Sequence, residues 1–157
     1  MIEVDKFERY TQRWNAPGAP GDQEPALRFT PWSGGSRPPT SSLASAMAGK
    51  LAARLGAFAE YQMVGMRAYF TEQRDVSDPA VLAAVAGEVG LDAEAFAREL
   101  HNDAPALRQQ VLDEYTTALD DGIHAVPTVV VNDIFPLPGA QDTEAYRRII
   151  ERHRNRP

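Results

Sequence analysis

A chain of 157 residues has the size of one ordinary domain, since soluble domains cluster near ~100–150 residues. Hydrophobic residues at 43%, charged ones at 24% and a net charge of -6 exclude a disordered composition. They also disfavour a nucleic-acid partner, because phosphates are neutralised by Lys and Arg, here 16 against 22 Asp and Glu.

No stretch approaches the ~18–20 apolar residues of a membrane helix, and Met1-Ile2-Glu3-Val4-Asp5-Lys6 has no apolar core of a signal peptide, so no membrane association and a cytoplasmic location are expected. The chain has no cysteine, which excludes disulfides, thiolate metal sites and cysteine nucleophiles for this polypeptide on its own. His101, His124 and His153 match no ligand spacing, and no metal is expected.

Residues 3–14 carry Val4, Phe7, Tyr10 and Trp14 at helical spacing between polar residues, which predicts an amphipathic helix. The stretch 16–39 holds six of the 12 prolines and four of the 11 glycines, so most of it is expected to be loop. Ala26 to Trp32 reads either as a strand, with Leu27 and Phe29 on one face, or as a proline-tethered extended loop.

From Thr40 to Gly122 the sequence turns Ala-rich and predicts a helical bundle. Leu43, Met47, Leu51 and Leu55 recur every four residues in a helix ending near Gly56. A second helix is expected from Phe58 to Gln73, with Tyr61, Val64 or Met63, Ala68 and Tyr69 or Phe70 inward. Ser77-Asp78-Pro79 supplies a cap and a first-turn proline for a third, ending near Gly90. Asp92 caps the next, with Leu91 and Phe96 as its hydrophobic staple. A helix from about Pro105 to Asp121 is expected to bury Leu107, Val111 or Leu112, Tyr115 and Leu119, with Gly122 closing it.

Pro127 to Val131 is a β-branched run, Asn132-Asp133 offers a tight turn and Ile134 to Leu137 returns, which predicts a hairpin. Pro136 and Pro138 place the return strand at a sheet edge, because a central strand cannot lose those donors. Asp142 caps a final helix carrying Tyr146, Ile149 and Ile150, whose basic tail, Arg152 to Arg156, complements the helix dipole.

The order helix, strand, helical block, Val-Pro-Thr hairpin, helix resembles the DsbA-like branch of the thioredoxin superfamily. Gly122 to Val131 is similar to the segment entering that family's cis-proline loop and third strand. Gly139-Ala140-Gln141 resembles its Gly-Ala-Gln before the last helix, and Arg37 to Ala44 the entry to its inserted helical domain. Ala68-Tyr69-Phe70 through Asp75-Val76-Ser77-Asp78 with Gly90-Leu91-Asp92 resembles the middle of that insertion. The resemblance implies an α/β, thioredoxin-like fold with 1–39 and 123–157 as the thioredoxin-like part and 40–122 as the insertion. In the family a first strand leads into a Cys-x-x-Cys turn. The first 25 residues here resemble the inside of the helix that follows, so the fold is expected to be incomplete at the N-terminal strand, and a homo-oligomer through the open sheet edge is expected.

An alternative alignment sets Thr30-Pro31-Trp32-Ser33 on the Cys-Pro-Trp-Cys motif. It implies that Ser33 resembles the serine of glutathione-dependent relatives, the kappa-class transferases and hydroxychromene carboxylate isomerases.

The resemblance implies that Val126, Pro127 and Thr128 flank the backbone of a peptide or glutathione ligand, since a cis-proline exposes preceding backbone groups to an extended chain; the turn also reads simply as the shape of a strand start. His124 reads as a proton donor near that turn or as an ordinary surface residue. Trp32, with Trp14 and Phe29, reads as a groove wall or as core. Asp103, Asp113-Glu114 and Asp120-Asp121 make no acid/base pair, and no phosphate loop or serine elbow occurs.

Three functions follow. The first is a redox-inactive family member acting as a binding or assembly module, without cofactor. The second is a glutathione-using transferase or isomerase, and the third a truncated reading of an ordinary disulfide oxidoreductase whose cysteines lie upstream of Met1.

Overall fold

Local capping chemistry sets several of the element boundaries. A computed structural model describes residues 4–16, 29–34, 37–131 and 135–154, and the chain divides after Val111 into two units. The first contains α1 (Val4–Thr11), a 3-10 turn (Gln12–Asn15), α2 (Leu43–Arg54), α3 (Phe58–Phe70), α4 (Pro79–Glu88), α5 (Ala93–Asn102) and the beginning of α6 (Ala104–Asp120). The second contains the rest of α6, β1 (Thr128–Val131), β2 (Phe135–Pro138) and α7 (Thr143–Arg154). The class is α/β: helices dominate, with one two-stranded antiparallel sheet among the described residues.

Asp78 accepts a hydrogen bond from the Ala80 N–H at 2.8 Å with Pro79 in the first turn of α4, and Asp92 accepts from the Ala95 N–H at 2.9 Å. Each carboxylate satisfies a donor that the first turn leaves without a helical partner. Asp142 does the same for the Ala145 N–H of α7 at 2.6 Å. Gly122 closes α6 at φ 78°, a left-handed conformation that carries a Cβ penalty in other residues, and the Ile123 N–H returns to the Ala118 carbonyl at 2.8 Å.

The core of the first unit gathers Ala48, Leu51 and Ala52 of α2, Tyr61 and Ala68 of α3, Leu82, Val85 and Ala86 of α4, Phe96 and Leu100 of α5 and Leu107 of α6. The alanines let helix axes approach, and Tyr61 stacks on Phe96 at 5.4 Å between ring centroids. Leu91 packs against the same cluster as Phe96, which is the staple geometry at the start of α5. A second, aromatic cluster joins Phe7 and Trp14 to Phe29, Trp32, Tyr69 and Phe70, with neighbouring ring centroids 4.7–6.1 Å apart.

Several expectations are corrected. The described part of the 26–32 stretch, 29–32, forms no strand. Its backbone is held by single bonds to helices instead: the Thr30 N–H donates to the Phe70 carbonyl at 2.7 Å and Asn15 Nδ2 to the Phe29 carbonyl at 2.8 Å. Tyr115 and Leu119 of α6 are exposed rather than buried, and Met63 of α3 faces solvent while Val64 packs on the core. Residues 17–28, which hold part of the expected loop and the start of the 26–32 stretch, the expected Asn132-Asp133 turn with Ile134, and the end of the basic tail lie outside the described residues.

Candidate functional site

In the second unit the hairpin pairs Thr128 with Pro138, Val129 with Leu137, Val130 with Pro136 and Val131 with Phe135. One position beyond this ladder, the Gly139 N–H donates to the Pro127 carbonyl at 2.7 Å. Hydrogen-bonded pairs alternate along an antiparallel ladder, so 129 with 137 and 131 with 135 face inward across the pair. Pro136 and Pro138 then take the outward positions, where a missing N–H costs the hairpin nothing.

The two outer edges therefore differ. That of β2 carries proline nitrogens and has no donor at 136 or 138, whereas that of β1 presents the N–H and C=O of Thr128 and Val130. No other described strand pairs with β1.

The turn that enters β1 holds the other residues singled out by the sequence. The Val126–Pro127 peptide bond is cis, and Val126 is 97% exposed. Thr128 Oγ1 donates to the Ala125 carbonyl at 2.6 Å, which folds the turn back on itself. Gly139 sits at φ 78°, bringing the Pro127 and Gly139 backbones together, and Gln141 Nε2 donates to the Pro138 carbonyl at 3.1 Å. His124 is exposed at the same turn. Val126, Pro127, Thr128 and His124 thus share one local structure.

Trp32 and Ser33 belong to the first unit. Trp32 is 1% exposed, enclosed by Phe7 and Tyr69, so it is core rather than groove wall. Its backbone N–H donates to Thr11 Oγ1 at 2.9 Å, and its indole Nε1 has no hydrogen-bond partner among the described residues. Ser33 is exposed, with Oγ 3.5 Å from Gln73 Oε1. Ser33 lies outside any helix and the next one in sequence begins at Leu43, so Ser33 does not open a helix of its own. The dipole that would stabilise a glutathione thiolate there does not fit this geometry.

The sequence reading missed Gln73. It adopts φ 55°, and its Nε2 donates to the Pro31 carbonyl at 2.8 Å, fastening the 29–34 segment to the end of α3. A lone glutamine after a helix carries no sequence signal for this. Also missed was a ring of charges: Arg67 pairs with Glu72 at 2.9 Å and Glu88 at 2.6 Å, and Arg74 pairs with Glu88 at 2.6 Å and Glu72 at 3.3 Å. The Arg74 hydrogen bond, ahead of the neighbouring positive charge, holds the Glu88 carboxyl below its ordinary range, and Glu88 in turn raises Arg74. A cleft of about 850 Å³ lies beside Arg37, Thr40, Glu72, Arg74, Asp75 and Ser77. A more apolar cleft of about 510 Å³ is lined by Phe7, Ser42, Tyr61, Gly65, Tyr69 and Phe70. Burial raises the Tyr61 phenol, whose hydroxyl donates to the Leu82 carbonyl at 3.1 Å, and burial followed by the charge of Tyr10 raises Tyr69. Neither phenol is a proton-transfer group near neutrality. Among the described residues no cluster of ligating side chains could hold a metal ion, and no helix is long and apolar enough to cross a membrane.

The comparisons with known proteins bear on the same stretch. Residues 32–151 match the family model of the DSBA-like thioredoxin domain. The chain is also similar to the "Uncharacterized protein YwbO" of Bacillus subtilis (strain 168), with 32% identity over 93 residues, 58% of this chain and 44% of that protein. The matched part spans less than half the length of that relative. With most of its residues inside the family match, the chain belongs to the DSBA-like thioredoxin domain family.

Proposed function

We propose that this polypeptide is a thiol-free member of its family that works by holding an extended chain, as a binding or assembly module in a cytoplasmic setting. In this reading 1–39 and 123–157 form the thioredoxin-like part and 40–122 the helical insertion. Disulfide exchange proceeds by attack of a thiolate on a disulfide sulfur, and the sequence contains no cysteine to supply one. That single observation carries the proposal. The open β1 edge beside the exposed Val126 supports it, because backbone donors and acceptors at a strand edge pair with any extended segment. Val126, Pro127 and Thr128 are the residues proposed to border that segment, with the hairpin edge as the route to self-association.

Incubation of the purified chain with a scrambled disulfide substrate and a glutathione buffer tests the proposal. The expected rate is that of the buffer alone, and isomerase or oxidase turnover above it overturns the reading. Calorimetric titration with reduced glutathione separates the transferase or isomerase alternative. No saturable heat is expected, and saturable binding weakened by Ser33→Ala would assign the chain to that class instead.

A further inference from the structure

Three glycines of the first unit lie inside helices: Gly49 of α2, Gly65 of α3 and Gly87 of α4. A glycine in a helix interior destabilises it relative to alanine, so its presence there is explained by a close contact or not at all. Gly49 has such a contact, since a Cβ would lie 3.6 Å from the Phe58 ring, and Gly87 has one 3.5 Å from the Ala93 Cβ. At Gly65 a Cβ would meet nothing within 4 Å, and the backbone there is not left-handed. Nothing described in the chain itself accounts for this glycine.

Gly65 lines the cleft of about 510 Å³, a size within the roughly 300–1,000 Å³ of small-molecule sites. Its lining includes Tyr61, Leu82 and Val85, all buried, together with Phe7, Tyr69 and Phe70. The Tyr61 hydroxyl is taken up by the Leu82 carbonyl at 3.1 Å, so that residue offers its ring. Among the described residues that line the cleft none is charged, in a chain where 24% are. Hydroxyls gather at the start of α2. Ser41 Oγ accepts the Leu43 N–H at 3.1 Å and Ser45 Oγ donates to the Ser42 carbonyl at 2.9 Å. Ser42 stands at the N-cap of α2, but its backbone is already helical, with φ -83° and ψ -6°, and its hydroxyl makes no cap bond.

We propose that this cleft binds a neutral aromatic small molecule carrying one hydroxyl or carbonyl group, with its ring against Gly65 and its polar group at Ser42. A glycine lets a flat ring lie directly on the helix backbone. Four aromatic side chains favour an aromatic body, because stacked and edge-to-face contacts add to the burial of area. Neutrality follows from the uncharged lining: an ion entering it would lose water and find no opposite charge.

The test adds the full chain to 2-naphthol, a neutral fused ring with one hydroxyl, and follows the fluorescence anisotropy of the ligand. Saturation at one ligand per chain is expected. 2-Naphthoate, the same ring with a carboxylate, and 1-octanol, an aliphatic alcohol, are each expected to compete at least about tenfold more weakly. Ser42→Ala is expected to weaken 2-naphthol roughly three- to tenfold. Its Tm is expected to be unchanged, because that hydroxyl caps nothing. Gly65→Leu is expected to abolish binding with Tm at or above that of the parent, and Gly65→Ala to raise Tm. Amide chemical shifts of Ser42, Gly65 and Met66 in the unsubstituted chain give a readout free of mutation, and 2-naphthol is expected to move them.

No saturable binding, equal competition by 2-naphthoate or 1-octanol, or shifts confined to other residues overturns the proposal. Parent-like binding by Ser42→Ala or by Gly65→Leu overturns it too. A Gly65→Leu chain whose Tm falls would show that the chain's own residues fill the cleft, with the same consequence.

Discussion

Thr11 is fully buried at the end of α1 and uses its hydroxyl in both senses. It donates to the Glu8 carbonyl at 2.9 Å and accepts the Trp32 N–H at 2.9 Å. The first bond is local. The second pins a segment 21 residues away so that the Trp32 ring sits under Phe7 and Tyr69. Thr11→Val keeps the shape and removes the acceptor, leaving a buried amide without a partner, which costs about 1–3 kcal/mol. Urea denaturation is expected to show a lower midpoint for Thr11→Val, whereas Thr11→Ser keeps the acceptor and loses only methyl contact. Trp32 was legible as an apolar residue in the sequence. Its burial was one of two readings, and what decided it is a hydroxyl in another element.

Among elements, the clearest electrostatic device is the Arg67, Glu72, Arg74 and Glu88 ring, which ties the end of α3 and the segment after it to the end of α4. Glu88 is held below its ordinary range in the fold, first by the Arg74 hydrogen bond. A carboxyl with a depressed folded pKa contributes stability that is complete above its unfolded value and is lost as pH falls through the folded one. Glu88→Gln is therefore expected to lower Tm near neutral pH, and the gap to the parent is expected to close as pH drops below the ordinary glutamate range. Scanning calorimetry from neutral to acid pH checks this. The partners are partly exposed, so high salt is expected to shrink the same gap.

For the whole molecule, net charge opposes the self-association proposed for the hairpin edge. Each copy carries a net charge of -6, so two copies repel at low ionic strength, while the uncharged β1 edge contributes no attraction that salt would screen. Raising ionic strength from about 0.01 M to about 0.15 M shortens the screening length from roughly 30 Å to roughly 8 Å. Sedimentation equilibrium across that range is expected to show tighter self-association at the higher salt. Weakening with salt would mean that an ion-paired surface, and not the strand edge, joins the copies.

Features written within a few residues of chain follow from the sequence alone. Asp78, Asp92 and Asp142 each cap the helix they precede, and Gly122 closes α6. Thr128 to Pro138 folds back as a hairpin with its prolines outward. These rest on the spacing of donors, acceptors and φ-permissive residues along one turn or one ladder. The absence of a thiol is a matter of composition and required no structure.

The tertiary structure alone decided that 29–32 is tied to α1 and α3 instead of pairing as a strand, and that Gln73 fastens it through a bond spanning 42 residues. It also left Tyr115 and Leu119 exposed on a helix whose pattern predicted burial. Periodicity shows that a residue has an apolar side to cover, but which surface covers it depends on packing between elements far apart in the chain. The same holds for the candidate site: the Val-Pro-Thr run and the proline edge were visible in the sequence, whereas the outward position of the Thr128 and Val130 backbone groups required the register.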